Sequence, residues 1–129
     1  MSHFSRIKTS ITNLNILKQS LKDLNFEFHI GKSHLQDSSG NLQYVDIIIK
    51  KNNAKIMGFL WNEKEYIFIT DFDLWQYHND ICSENIIEKI LQQYAINSVI
   101  EVSHIEGFKT VEKEKLKDGS VKLIVQKWN

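Results

Sequence analysis

The sequence predicts an α+β fold with the order β-α-β-β-β-β-α-β-β, a mostly antiparallel sheet carrying two helices packed on one face. Three observations predict it. Apolar residues recur at steps of three and four in two stretches, around 12–25 and 83–107, which is the period of an amphipathic helix. Between 42 and 72, three apolar runs are separated only by "NNA" and "NEKE", the spacing of an antiparallel meander. Each helical stretch also stops at Asn or Gly, after which a Phe opens a strand and a Gly turn leads into a strongly apolar strand. The third observation divides the chain into two βα-ββ-like halves. Its 129 residues fit one domain, 1–129.

The elements follow in order. Residues 3–9 make a short mixed strand. In "TNLNILKQSLKDLN", Leu14, Leu17, Leu21 and Leu24 fall on one helix face. Thr12 or Asn13 offers a side-chain oxygen to the free N–H groups at its start, and Asn25 stands where a left-handed C-cap residue belongs. "FEFHI" alternates as a strand. Residues 31–41, "GKSHLQDSSGN", are polar with Gly near both ends and read as a loop. "LQYVDIIIKK" is apolar on both parities near its middle, so it lies inside a sheet. "KIMGFLW" and "YIFITDF" complete the meander. In the long helix, Ile86, Ile87, Ile90, Leu91, Tyr94, Ala95, Ser98, Val99 and Val102 form one broad face, with Ser83 as N-cap and Gly107 as stop. The last segment is a hairpin turning at Asp118-Gly119.

Composition narrows the function. The 16 basic and 16 acidic residues cancel, so the chain has no global attraction for phosphates. With one cysteine, no internal disulfide can form, which suits a reducing compartment. No apolar run approaches the roughly 20 residues of a membrane span. The start "MSHFSRIK" has neither an apolar signal core nor an Arg- and Ser-rich presequence, so the protein is expected to work where it is made. Ile, Asn and Lys are abundant, Arg occurs only at Arg6 and Pro is absent, a bias toward AT-rich codons.

Chemistry-bearing residues are densest in "FITDFDLWQYHNDIC", 68–82. Asp71 and Asp73 are two apart and share a strand face, as convergent carboxylates would. Trp75 and His78 follow, and Cys82 precedes a helix whose dipole would lower a thiol pKa. Zinc needs Cys and His ligands in sets, and this run supplies one of each, so no metal is expected. Asp at the end of a strand is also an ordinary turn former. The structural reading, a strand running into a helix cap, therefore outweighs a catalytic one, and Asp71, Asp73, Trp75 and His78 remain a possible functional cluster. No phosphate loop, nucleophile elbow or kinase signature is present, so no cofactor is expected.

Two surfaces complete the candidates. Tyr66, Phe68 and Thr70 share a parity opposite Ile67 and Ile69, and Phe59 and Trp61 oppose Leu60. An exposed aromatic face of this kind could stack bases, giving an RNA- or nucleotide-binding domain. The plainer reading makes it the core. On the long helix, Ile96 and Ile100 fall opposite the main apolar face, as a docking stripe would, and Trp128 adds an aromatic near the end.

"MSHFSRIKT", "LKDLNFE", "FITDFDLWQ", "QQYAINSVIE" and "DGSVKLIVQKW" resemble the family of hypothetical chloroplast reading frame thirty-five, related to an uncharacterised domain widespread in cyanobacteria. The resemblance covers nearly the whole chain. It implies a plastid-encoded protein, resident in the chloroplast stroma, and brings no catalytic or binding residues. The family often has Gly where Asn25 stands and His-Thr where Asn97-Ser98 stands. Asn tolerates the left-handed conformation, and the absent His removes a polar ligand from the long helix. The expectation is a non-enzymatic accessory or interaction module that binds an unknown protein partner or itself, with neither membrane nor nucleic acid as the favoured partner.

Overall fold

The computed structural model describes residues 4–37, 39–71, 85–105, 108–115 and 121–127. The elements are β1 (Ser5–Ile11), α1 (Leu14–Asp23), β2 (Glu27–Gln36), β3 (Leu42–Lys51), β4 (Ala54–Trp61), β5 (Tyr66–Thr70), α2 (Asn85–Ile105), β6 (Phe108–Lys115) and β7 (Val121–Lys127). The order and the α+β class match the sequence reading. β1 to β5 form one antiparallel sheet in the spatial order β1-β5-β4-β3-β2. α1 therefore carries the chain from one edge of the sheet to the other. The expected incorporation of the last hairpin into the same sheet is not observed, because β6 and β7 pair only with each other. Local sequence fixes a hairpin but not the sheet it joins.

α1 is held at both ends. Asn13 Oδ1 accepts from the Ile16 N–H at 3.1 Å, which caps the start. At the other end Phe26 N–H reaches Leu21 O and Asn25 N–H reaches Lys22 O, with Asn25 at φ 62. This is the Schellman arrangement, and it turns the chain into β2. Asn52 and Asn53, both at positive φ, make the tight β3–β4 turn between paired Lys51 and Ala54. Asn62 Oδ1 collects the Lys64 and Glu65 N–H groups and closes the β4–β5 turn.

Residues 31–36 correct the sequence reading of a loop. They continue β2 along the sheet edge, and the turn is made by Asp37, Ser39, Gly40 and Asn41. Asp37 organises it by accepting from the N–H groups of Ser39 and Asn41 and from the Asn41 amide. Burial pushes the Asp37 carboxyl up, but the Asn41 side-chain bond and the backbone bonds from Asn41, Ser39 and Gly40 outweigh it and hold it below the usual range. The loop-like composition arises because β2 is an edge strand. Beyond Gly31 only Leu35 is apolar, and it points inward.

Both helices cover the same face of the sheet. Leu17 and Leu21 of α1 and Ile86, Ile87 and Ile90 of α2 pack with Ile11, Ile47, Ile49, Phe59, Tyr66 and Phe68 in one core. The aromatic parity is thus the core face, and the expected aromatic platform for bases is not exposed: Phe59 and Phe68 are fully buried beneath the helices. The opposite face holds a second, aliphatic core of Leu35, Val45, Ile48 and Ile69. Among the described residues no helix packs on it. The sheet closes on itself instead. A one-residue register shift between Ile30 and Ser33, at Gly31 with φ 128, bends the β2–β3 hairpin. β2 consequently contacts β4, and the Arg6 guanidinium of β1 donates to Gln43 Oε1 of β3 across the face. Gly58 makes the fit possible, since a Cβ there would lie 2.7 Å from Ile47 O and 2.9 Å from Val45 Cγ1.

Candidate binding groove

A groove of about 540 Å³ opens where β2, β3, the β4–β5 turn and the β1–α1 link converge. Its position follows from local structure. The Gly31 bulge, just after the paired Ile30 and Ile47, brings Ile30 and Lys32 to the lining, and the Asn62 turn brings Glu63. Asp46 of β3 lies between them. Its Oδ2 accepts from the Trp61 N–H at 2.8 Å, which ties β3 to the end of β4. Among the described residues nothing donates to Oδ1, and this oxygen is not sealed from water. Trp61 and Tyr66, paired across β4 and β5, stack with ring centroids 4.9 Å apart at 53°. Burial pushes the Tyr66 phenol above its usual pKa near 10, and the Asp46 carboxylate pushes it further. Tyr66 is therefore a neutral hydroxyl beside a carboxylate and an indole.

A second polar group lies where the helices cross. Asn97 Nδ2 donates to Ser20 Oγ and to Asp23 Oδ2, both at 3.0 Å, and Gln19 Nε2 donates to Asp23 Oδ1 at 2.8 Å. Ser20 is fully buried and donates to Ile16 O. Tyr94 Oη accepts from the Asn13 N–H at 3.1 Å and fixes the entry to α1. Each donor meets an acceptor already in place, so the cluster sets the helix register.

Of the residues singled out from sequence, only Asp71, Ile96 and Ile100 fall among the described residues. Asp71 is 2% exposed at the end of β5 and engaged in further interactions. Asp73, Trp75, His78, Cys82 and Trp128 lie outside the described residues. The two aliphatics expected on the outer side of α2 are not both there. Ile96 is buried, and Ile100 is half-buried in a depression beside Ile16 of α1. α2 touches α1, β1 and the β6–β7 hairpin as well as the sheet, so its buried surface is not one straight stripe. Ala95, Val99 and Val102, assigned from sequence to the inner face, point outward instead, Val99 at 46% and Val102 at 51% exposure. Sequence reasoning missed the groove. Its one signal was Asp46, the only charge inside the apolar run "YVDIII".

Relatives match the chain over nearly its whole length. The family described as "Protein of unknown function (DUF1257)" matches residues 20–124. "Uncharacterized protein ycf35" of Pyropia yezoensis is 40% identical over 129 residues, covering 100% of this chain and 99% of that protein. The chain belongs to the ycf35 family. Its relatives in Guillardia theta and Cyanophora paradoxa, at 34% and 35% identity, each cover 99% of this chain and are themselves 98% covered. No solved structure matches the chain. The ycf designation of these relatives points to a plastid protein. Among the described residues no helix is long and apolar enough to cross a membrane.

Proposed function

We propose that this ycf35-family protein is a non-enzymatic accessory module of the plastid stroma that acts by binding another protein chain or a second copy of itself. The observation that carries the reading is the line Ala95, Val99 and Val102. Three apolar residues at steps of four and three run along the outer side of α2, whose inner side already has its core. Leu42 and Tyr44 on the outer side of β3 add a second exposed apolar pair. The competing readings lose their footing. Base stacking needs the aromatic face, which the helices cover. The enzyme reading centred on Asp71, Asp73 and His78 includes one buried carboxylate, Asp71, and its other two residues lie outside the described residues.

The test is affinity capture from plastid extract, with and without nuclease, using the wild-type chain and the pair Val99→Glu with Val102→Glu. Light scattering of both proteins reports self-association. The expected result is a nuclease-resistant partner, or a dimer, that the double variant loses while its melting temperature is unchanged. A wild-type monomer that retains nothing, or a variant that retains the same partner, would sink the reading.

A further inference from the structure

We propose that the groove beside Asp46 binds an organic cation, an ammonium or guanidinium group seated on the Trp61 and Tyr66 rings with its charge against Asp46 Oδ1. Three groups line the groove together, with Tyr66 largely buried. Asp46 has one oxygen committed to Trp61 N–H and one free among the described residues. The Tyr66 hydroxyl has no partner among the described residues and is not sealed. Trp61 is half-buried, with its ring fixed against Tyr66. Indole and phenol faces attract cations through their quadrupoles, and a carboxylate at the same wall supplies full charge.

The alternatives fit less well. The charged side chains of the lining are Lys32, Asp46 and Glu63, an excess of acid. An anion would have to settle against two carboxylates. A neutral apolar ligand would cover Asp46 Oδ1 and leave it unpaired, a costly burial. A cation with an apolar stem satisfies the carboxylate, lies on the rings and uses Ile30 and Leu60 at the walls. The volume suits a small molecule or one arginine or lysine side chain. The proposal is independent of the α2 surface, and substitutions at Val99 and Val102 leave it untouched.

The test is a titration of the ¹⁵N-labelled full chain, followed at the backbone amides of Gly31, Lys32, Trp61 and Glu63 and at the Trp61 indole. The probes are agmatine for a free cation, Nα-acetyl-arginine methylamide for a side chain on a backbone, and its citrulline counterpart as the neutral control. One or both cations should shift these signals at millimolar concentration, and citrulline should not. Asp46→Asn should weaken binding by about tenfold. Asn keeps an oxygen for the Trp61 N–H, so the β3–β4 tie survives, and a melting curve checks this. Glu63→Gln, on the exposed turn, should weaken binding less. The proposal falls if neither cation shifts the groove, if citrulline matches arginine, or if both variants bind as the wild type does.

Discussion

The two faces of the five-stranded sheet are buried by different means. One face is aromatic and lies under α1 and α2. Its side chains are large, and Phe59 and Phe68 tilt against each other with centroids 5.3 Å apart. The other face has an aliphatic core, and among the described residues it is covered by the sheet's own curl through Leu35 and Val45, with Phe4 packed alongside. Helices bring a broad apolar surface and tolerate variation in what they meet. A sheet folding onto itself brings backbone close to backbone, so one absent side chain, at Gly58, decides whether it closes. Removing volume should harm the first face, and adding it should harm the second.

Three experiments sharpen this contrast. The largest effect is expected for Phe68→Ala, which empties the centre of the helix-covered core. Urea unfolding should show a loss of about 3–5 kcal/mol, and a loss below about 1 kcal/mol would mean that the helices do not rest on this ring. Gly58→Ala should come next, at roughly 1–3 kcal/mol, from overpacking alone. Adding Val45→Ala should recover part of that loss, because Ile47 O remains in the way. Additive losses would show that the two faces close independently of this contact. The smallest effect concerns Tyr66. Its folded pKa is raised, so the neutral phenol stabilises the fold fully below the unfolded value near 10, and this contribution disappears as pH rises through the folded value. Melting temperatures should fall on the alkaline side of pH 10 in the wild type, and less so in Tyr66→Phe. An identical alkaline slope in both would remove Tyr66 from the account.

Much of the fold is legible because its signals are local. The leucines of α1, the Asn13 cap, Asn25 as its left-handed stop and the Asn52-Asn53 turn are each written within a few residues. What sequence hides depends on distant partners. Residues 31–36 look like a loop because an edge strand buries only one residue in that span, Leu35. β6 and β7 read as a hairpin, but their separation from the main sheet depends on which edges are already filled. Ile96 looks exposed under a single-stripe model of α2, and the neighbours on several sides of that helix make the model fail. The groove is the least legible feature. Lys32, Asp46, Trp61 and Tyr66 come from four strands, and only the bulge at Gly31 and the turn at Asn62 bring them to one rim. Asp71 stood out by chemistry and proved to be buried structure, whereas Asp46 was passed over within an apolar run.

The passage of α1 from one sheet edge to the other also sets an order in time. β3, β4 and β5 form successive hairpins, each pairing with the strand made just before it. β1 is different. Its partner is β5, with Ser5 opposite Thr70, so nothing in the growing chain can receive it until the whole meander has left the ribosome. Until then β5 has no outer neighbour, and an unpaired strand edge invites association with other chains. β1 is thus seated after the four strands that follow it, and it acts as the latch of the sheet.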